Sequence, residues 1–227
     1  MRECNVTRLL DVCFSFIAIF FLFPLLIPVV LLLRITGEGE VFYIQQRVGY
    51  RGSCFGLIKF ATMLKASPNL GSGTITVKGD PRVLPVGKFL RLTKINELPQ
   101  LLNVLRGDMS LIGPRPLTPE NYAMYPAHIR DVIQLCRPGL SGVGSIVFRD
   151  EQNLLNAGQD PVQVYRNIIA PFKGQLEEWY VNNRSIYSYF LLIFLTIWVV
   201  VTKKSNILWL IFPNLPRSTE LNLPESK

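Results

Sequence analysis

The sequence predicts an α+β fold, mostly helical, that is attached to a membrane. Residues 12–33 form a run of 22 positions without a charged side chain, which is long enough to cross a bilayer. Segments 41–46 and 54–62 have the composition of short strands and flank a turn that contains glycine. Several later segments place apolar residues at helical spacing. A membrane segment, a small sheet and several helices are therefore expected.

Composition and charge indicate a membrane setting and an anionic ligand. Hydrophobic residues make up 49% of the 227 positions, and the mean hydropathy is +0.28, which is unusual for a freely soluble enzyme. The net charge is +8, and residues 41–115 contain eleven Lys or Arg against three acids. Such a surface attracts phosphates, anionic lipid or nucleic acid, or it is simply a solvated basic face. No recognition-helix or aromatic strand motif supports nucleic acid, so no nucleic-acid partner is expected.

The four cysteines do not indicate a disulfide framework. They stand at positions 4, 13, 54 and 136, without a C-x-x-C pair and without a histidine at metal-ligand spacing. We therefore predict reduced thiols in a cytosolic or membrane setting.

The apolar run near the N-terminus contains Pro24 and Pro28. Each proline lacks an N–H group and clashes with the preceding turn, so we expect a kink or break near Phe23. Two arrangements follow: a helix that spans the bilayer, or a helix that bends back and leaves both ends on one side. Composition favours the plain span, and the basic segment that follows should stay inside the cell.

The remaining segments divide the chain into three parts. We expect a surface loop over 67–80 and helices over 88–94, 97–106, 119–134 and 161–182, the last interrupted at Pro171. A second apolar run over 186–201 is short for a span. It suits an amphipathic helix in the membrane interface, or alternatively a buried core helix. The predicted divisions are a membrane segment over 1–36, a soluble domain over 37–188, and a C-terminal apolar helix and tail over 189–227.

The segment K-I-N-E-L-P-Q-L-L-N-V-L-R-G-D-M-S-L-I-G-P-R-P at 94–116 predicts a phosphate or pyrophosphate site. Asn96 is a candidate N-cap for the helix over 97–106, and anions are favoured at a helix N-terminus. Arg115 lies between two prolines, and a rigidly placed guanidinium can hold a phosphate with two parallel hydrogen bonds. Additional cations that could contribute are Lys59, Arg82, Lys88, Arg91 and Lys94.

Glu97 is the obvious chemical candidate in this region, which contains few acids. It could serve as a metal ligand, a base or a nucleophile, and Mg²⁺ would suit one carboxylate together with substrate oxygens. Alternatively, Glu97 is only a carboxylate stabilised by the helix dipole.

Several sequence blocks, in one order, resemble the monotopic phosphoglycosyl transferases, the bacterial sugar transferase family that initiates polysaccharide and glycoconjugate assembly. The resemblance covers the chain from Arg8 to about residue 188. The blocks are R-L-L-D at 8–11, the proline-broken apolar helix, V-F-Y-I-Q-Q-R-V-G at 41–49, K-F-A-T-M at 59–63, D-P-R at 80–82, N-E-L-P-Q-L-L-N-V-L-R-G-D-M-S-L-I-G-P-R-P at 96–116 and R-P-G-L-S-G at 137–142.

The resemblance implies a re-entrant N-terminal helix, which replaces the span that composition favours. It implies a catalytic domain on the cytoplasmic face of the bacterial inner membrane, with interfacial amphipathic helices. The implied reaction moves a sugar-1-phosphate from a UDP-sugar to undecaprenyl phosphate with release of UMP, and it depends on Mg²⁺. The exposed apolar faces would also permit a homodimer.

The family motifs also assign expected roles to individual residues. The usual catalytic pair is Asp-Glu, in which the Asp forms a covalent phosphosugar intermediate; here Asn96 and Glu97 occupy those positions, with Glu97 also the expected metal ligand. The expected residues for phosphate or nucleotide are Arg115, Lys59, Arg82, Arg91 and Arg137. The expected residues for the polyprenyl phosphate and the membrane are Arg8, Asp11 and Pro24.

Four positions depart from the family pattern. Asn96 replaces the nucleophilic Asp, and a neutral amide is not a competent nucleophile towards phosphorus. Phe23 replaces a common Ser beside the helix-breaking proline, Ala61 replaces a common Arg, and Thr7 replaces a common Lys. Either Glu97 takes the nucleophilic role, or the reaction is a direct displacement, or the chain is a non-catalytic membrane protein that binds nucleotide-sugar or lipid phosphate.

Overall fold

The computed structural model describes residues 5–36, 38–67, 70, 76, 79–151, 154 and 160–218. Within these residues the chain is mostly helical, with two small two-stranded sheets, as the predicted α+β class requires. The helices are α1 (Asn5–Ile35), α2 (Pro85–Leu92), α3 (Gln100–Arg106), α4 (Pro119–Ala123), α5 (Ala127–Ile133), α6 (Val143–Val147), α7 (Pro161–Val164), α8 (Ala170–Asn183), α9 (Ile186–Thr202) and α10 (Ile207–Ile211). The strands are β1 (Phe42–Val48), β2 (Cys54–Phe60), β3 (Ser110–Ile112) and β4 (Gly139–Ser141).

Helix α1 remains helical through both of its prolines. The helix is therefore not broken near Phe23, and the kink that was the other expectation there stays a prediction. A proline in an apolar helix removes one hydrogen bond, and such a loss is tolerated in membrane helices. By length and hydropathy, α1 is the one helix among the described residues that could cross a membrane.

The N-terminal half of α1 is fixed to the rest of the protein by two charged side chains. Arg8 donates to the carbonyl oxygens of Val104 and Leu105 at 2.6 and 2.9 Å. Buried Asp11 accepts hydrogen bonds from the backbone N–H of Leu111 at 2.9 Å and from the hydroxyl of Tyr189 at 2.8 Å. Arg8 thus satisfies carbonyl groups at the C-terminal end of α3, where a positive charge is favourable.

The C-terminal half of α1 packs on the same domain through a different cluster. Val29 and Leu33 are buried against Phe60 of β2 and Leu90 of α2. Between the two attached ends, α1 exposes a series of large apolar side chains: Phe16, Ile17, Phe20, Phe21, Phe23, Leu25 and Ile27. Together with the length and hydropathy of α1, this exposed apolar surface indicates a membrane-bound protein.

Strands β1 and β2 form the antiparallel hairpin that the sequence predicts. Phe42 pairs with Phe60 at one end and Val48 pairs with Cys54 at the other. Because Tyr43 lies opposite Lys59, and side chains alternate between the faces of a strand, Arg47 lies on the same face as both. This arrangement brings two cations to one face of the hairpin.

The region around Asn96 differs from its prediction. The α-helix starts at Gln100, and Glu97 belongs to a preceding 3-10 turn, Ile95–Glu97. Lys94, the residue before this turn, is left-handed, with a φ of 62°. Glu97, Leu98 and Pro99 separate Asn96 from the start of α3. Asn96 therefore does not cap the helix. The predicted stop at Gly107 is confirmed by its φ of 95°.

The loop that carries Arg115 lies directly against the backbone of the segment 137–142. Strands β3 and β4 are parallel and pair Ser110 with Gly139. A Cβ atom on Gly139 would lie 2.1 Å from the nitrogen of Gly113, and one on Gly142 would lie 2.2 Å from the oxygen of Gly113. A side chain would not fit at either position. Glycine therefore allows the loop to pack directly against this backbone.

Two further segments differ from their expected boundaries, and a third is largely untested. The predicted helix over 119–134 is split into α4 and α5 at Pro126, because proline cannot continue a helix. The segment 161–183 is not interrupted at Pro171; instead, a π-helical turn over Tyr165–Ile169 precedes it and accommodates the missing N–H. Most of the predicted loop over 67–80 lies outside the described residues.

Helix α9 combines the two roles that its apolar sequence left open. Four of its apolar side chains are buried in the main core: Tyr189, Leu192, Leu195 and Val199. Others are exposed: Tyr187, Phe190, Phe194, Ile197, Trp198 and Val201. The helix therefore closes the core and also presents an apolar surface. The predicted boundary between 188 and 189 falls inside this helix, and the three divisions of the chain stay a prediction.

No disulfide occurs among the described cysteines, and the prediction of reduced thiols stays a prediction. Cys13, Cys54 and Cys136 are free. Cys4 lies outside the described residues.

Glu177 of α8 is a buried carboxyl that holds the Arg115 loop against the core. Its Oε1 accepts a hydrogen bond from the backbone N–H of Arg115 at 3.1 Å. A Cβ atom on Gly144 would lie 2.3 Å from that same oxygen, so α6 also packs closely against the carboxyl group. Burial raises the pKa of Glu177 to about 7, although the N–H of Arg115 and the charge of Lys173 oppose the change.

We expect Glu177→Gln to change the pH dependence of stability. Because the folded state raises the pKa of Glu177 from 4.5 to about 7, the wild type should lose up to about 3 kcal/mol as pH rises between those values. The variant cannot ionise at this position and should not show that loss. Thermal unfolding in detergent at pH 5 and pH 8 measures the difference. Identical pH dependence in the two proteins would contradict this assignment.

Candidate functional site

A cavity of about 840 Å³ opens between the hairpin, α2, the Ile95–Glu97 turn and α6. Its volume is in the range of small-molecule and cofactor sites. Cationic side chains dominate its lining: Arg47, Lys59, Lys65, Lys88, Arg91, Lys94, Arg115, Arg149 and Lys173. The acids in the lining are Glu38, Glu40, Asp80, Glu97, Asp150 and Glu151. A cavity with this balance favours a ligand that carries several negative charges.

Glu97 and Arg115 form an ion pair in this cavity. Nη2 of Arg115 lies 3.2 Å from Oε1 of Glu97. Burial would raise the pKa of Glu97, but the charges of Arg115, Lys59 and Lys94 outweigh that effect and hold the pKa well below its usual range. Glu97 in turn raises the pKa of Arg115. Both groups are therefore charged at neutral pH.

The hairpin supplies two more cations to the cavity, and their pKa values are lowered. Burial and the charge of Arg47 lower the pKa of Lys59 to about 7. Burial and the charge of Arg115 lower the pKa of Arg47 to about 10. Each shift reflects positive charges held close together with little solvent. A bound anion would relieve this repulsion.

Helix α2 and Lys94, two residues beyond the end of that helix, complete the basic lining. Burial lowers the pKa of Arg91 and of Lys94. Nζ of Lys94 donates to the carbonyl oxygen of Arg149 at 3.3 Å. The predicted phosphate residues Arg115, Lys59 and Arg91 are thus brought together around Glu97.

Asn96 is buried beside Glu97 and lines the cavity. Its Oδ1 atom has no hydrogen-bond partner within the described part of the chain. A buried acceptor without a partner is uncommon in proteins and calls for an explanation such as a bound ligand or ion. Asn96 can therefore coordinate or accept a hydrogen bond, although it cannot act as a nucleophile.

The residues around Glu97 fit a magnesium ion that is shared with a substrate. No group of three or more His, Cys, Asp or Glu residues able to hold a metal occurs among the described residues. A dedicated all-protein metal cage is therefore not found there. Mg²⁺, however, is commonly held by one or two carboxylates together with substrate phosphates. The carboxylate of Glu97 and the unpartnered Oδ1 of Asn96 are suitable protein ligands for that arrangement.

Two predicted phosphate residues are placed away from the cavity lining. Buried Arg82 forms a 2.6 Å ion pair with Asp80 and donates to the carbonyl oxygens of Ser67 and Leu70 at 2.9 and 2.6 Å. Arg137 donates to the carbonyl oxygen of Gly107 at 2.7 Å, and its guanidinium lies 5.6 Å from the centre of the Tyr50 ring. These contacts hold loops together.

The residues expected to meet the lipid phosphate lie on α1 and do not line the cavity. Arg8 and Asp11 bind backbone groups of α3 and β3, as described above. Pro24 lies in the middle of α1, among the exposed apolar side chains. Their role towards the lipid stays a prediction.

Several cavity residues were not predicted as site residues. The sequence could have indicated Arg47, because alternation along β1 places its side chain on the same face as that of Tyr43. Asn121, Glu151 and Lys173 come from distant segments that only the folded chain brings to one cavity. Glu177 carries no sequence signal that separates it from an exposed helical glutamate.

Comparisons with known proteins agree with this geometry. The bacterial sugar transferase family matches residues 2–203. Over 213 residues the chain is 29% identical to the exopolysaccharide production protein ExoY of Rhizobium meliloti, with coverage of 88% of this chain and 87% of the relative. Over 176 residues it is 35% identical to a UDP-glucose:undecaprenyl-phosphate glucose-1-phosphate transferase of Caulobacter vibrioides, with coverage of 76% and 62%.

Other relatives are considerably longer than this chain. An undecaprenyl-phosphate galactose phosphotransferase of Salmonella typhimurium is 30% identical over 211 residues, which are 86% of this chain but 40% of the relative. The match therefore concerns a shared part of those proteins. Because the family match extends over most of the chain and includes the cavity residues from Glu38 to Lys173, this protein belongs to the bacterial sugar transferase family.

Proposed function

We propose that this protein transfers a sugar-1-phosphate from a UDP-sugar to undecaprenyl phosphate and releases UMP, as the first membrane step in the synthesis of a bacterial polysaccharide or glycoconjugate. The observation that carries the proposal is the Glu97–Arg115 ion pair, enclosed by cations in a cavity of a membrane-bound protein. The names of the relatives from Caulobacter and Salmonella support undecaprenyl phosphate as the acceptor and a sugar-phosphate transfer as the reaction. The former also supports a UDP-linked donor.

The charge of the cavity suits a reaction between two anions. A nucleotide diphosphate sugar and a lipid phosphate repel each other, and fixed cations offset that repulsion. Arg115, Lys59 and Arg47 are held in place by the loop and the hairpin before a substrate arrives. Preorganised cations of this kind stabilise the negative charge that develops on phosphoryl oxygens in the transition state.

Two reaction routes are compatible with the position of Glu97. In a direct displacement, an oxygen of the lipid phosphate attacks the β-phosphorus of the UDP-sugar. The bond to the bridging oxygen breaks, and its electron pair leaves with UMP. In a two-step route, the carboxylate of Glu97 makes the first attack and releases UMP. The lipid phosphate then displaces the carboxylate from phosphorus and regenerates it.

The environment of Glu97 favours the direct route. Three cations stabilise its carboxylate, and a strongly stabilised anion is a weaker nucleophile. In the direct route Glu97 orients Arg115 and, together with Asn96, would hold Mg²⁺. Such an ion would neutralise charge on the transferring phosphoryl group. Recovery of an acyl phosphate between Glu97 and the sugar phosphate, after a quench without acceptor, would support the two-step route instead.

The attachment of α1 supports a re-entrant arrangement with the cavity on the cytoplasmic side. Arg8 near one end and Leu33 near the other both contact the same globular domain. A helix that crossed the bilayer would place these ends on opposite sides of the membrane. The exposed apolar faces of α1 and α9 then serve as the membrane contact. The same exposed faces would allow a homodimer.

We expect Glu97→Gln to reduce UMP release by roughly 10²–10⁴-fold, because it removes the charge that orients Arg115 and binds the metal. The measurement is UMP formation from a panel of UDP-sugars with undecaprenyl phosphate and Mg²⁺. Glu120→Gln is the matched control, since Glu120 is exposed on α4 and outside the cavity.

Full activity of Glu97→Gln would show that the reaction does not require the carboxylate of Glu97. A wild type that releases no UMP, together with an active Asn96→Asp variant, would contradict the proposal for this chain. That result would indicate a binding protein that has lost the family nucleophile.

The pKa of Lys59 predicts a loss of activity at alkaline pH. Because burial lowers that pKa to about 7, the lysine loses its positive charge as pH rises through 7, and substrate binding weakens. We therefore expect kcat/KM to fall above pH 7, since this parameter reports the free enzyme. Lys59→Arg should move the fall to higher pH, whereas Lys204→Arg, which is exposed and outside the cavity, should not.

Thiol labelling tests the topology of α1. Single-cysteine variants that retain either Cys4 or Cys54 should both resist a membrane-impermeant maleimide in intact cells and react after permeabilisation. Both sites then lie on the cytoplasmic side. Labelling of Cys4 from outside, with Cys54 protected, would contradict the re-entrant arrangement.

A further inference from the structure

One part of the cavity contains hydrogen-bonding groups that the phosphate chemistry does not use. Asn121, Ser145, Glu151, Tyr165 and Lys173 all line the cavity. Unlike the region around Glu97, this part combines an amide, two hydroxyl groups and a mutually neutralised ion pair. A mixture of donors and acceptors with little net charge suits a neutral polar group.

This part of the cavity adjoins Arg115. Nη1 of Arg115 lies 3.5 Å from the hydroxyl of Ser145. The charge of Glu151 contributes to the raised pKa of Arg115, and the charge of Arg115 influences the pKa of Tyr165. A group covalently attached to a phosphate that Arg115 holds would therefore reach these side chains.

Lys173 and Glu151 form an ion pair that retains hydrogen-bonding capacity. Nζ of Lys173 lies 2.6 Å from Oε2 of Glu151, and the lysine side chain is only 3% exposed. A buried ion pair is weak evidence for stability, because desolvation offsets much of its attraction. Lysine has three donors and a carboxylate has several acceptor positions. The pair can therefore serve both donors and acceptors of a ligand.

Asn121 provides an acceptor without a partner. The residue is 91% buried, and its Oδ1 has no hydrogen-bond partner among the described residues. Tyr125, four residues later, shares a hydrogen bond with Tyr165, which places this stretch of chain beside the Lys173 cluster. In a residue that lines the cavity, a buried amide oxygen without a partner indicates a donor on the ligand.

We propose that Asn121, Glu151 and Lys173, with Ser145 and Tyr165, form the subsite that binds the sugar ring of the donor and selects among sugars. This inference rests on the proposed function, because it requires a donor in which a sugar follows the phosphate at Arg115. Sugar hydroxyls both donate and accept hydrogen bonds, so the mixed set of groups is suitable. A site built to hydrogen-bond a hydroxyl also discriminates strongly against a sugar that lacks it.

Binding, measured separately from turnover, tests this subsite. The affinities of UDP, UDP-glucose, UDP-galactose, UDP-N-acetylglucosamine and UDP-N-acetylgalactosamine are measured by calorimetry on the full chain in nanodiscs. Asn121→Leu is nearly isosteric, and Glu151→Gln retains an acceptor for Lys173. We expect each variant to weaken the binding of the preferred UDP-sugar by about tenfold, while UDP affinity stays unchanged.

The matched control is Tyr122→Phe, which changes the neighbouring residue of α4 without touching this cavity. It should leave the affinities for UDP and for all four UDP-sugars unchanged. The inference is overturned if both site variants keep the wild-type preference among sugars. It is also overturned if both lose affinity for UDP and UDP-sugars in the same proportion. Sugar-selective binding without UMP release would overturn the proposed function and leave the subsite standing.

Discussion

The architecture depends on one electrostatic constraint: several cations lie close together, and the largely buried carboxylate of Glu97 between them must offset their repulsion. Without Glu97, the guanidinium of Arg115 and the ammonium of Lys59 would repel across a poorly solvated space. The hairpin, the Ile95–Glu97 turn and the glycine-supported loop each supply one part of this cluster. These three elements must therefore pack together for the charges to offset one another.

The positive charge of the cavity also gives a reason for attaching the site to a membrane. A cavity with excess positive charge attracts phosphates from any source, including soluble nucleotides. Attachment to lipid limits the acceptor to molecules that reach the cavity from the bilayer. The apolar surfaces of α1 and α9 supply that attachment and also contribute side chains to the folded core, so anchoring and catalysis share one structural unit.

Much of the fold and part of the site could be predicted from the sequence. Strand-like composition on either side of a glycine-bearing turn located the hairpin, and glycine marked the end of α3 at Gly107. The Pro-Arg-Pro spacing identified Arg115. The start of α3 was misplaced because the left-handed Lys94, which allows the turn before the helix, has no side-chain signature. Asn121 and Lys173 belong to the cavity only through tertiary packing, and a local pattern does not contain that information.

The contacts of Arg8 have a consequence for how this protein can be handled and rebuilt. Its guanidinium closes the carbonyl end of α3, and Leu33 fills a socket between β2 and α2. A chain shortened to begin after α1 would leave unsatisfied carbonyls at one place and an open apolar hollow at another. A foreign transmembrane anchor could restore membrane residence, yet it would not repair either defect. The membrane helix is thus part of the packed structure of the protein and cannot be exchanged as an independent module.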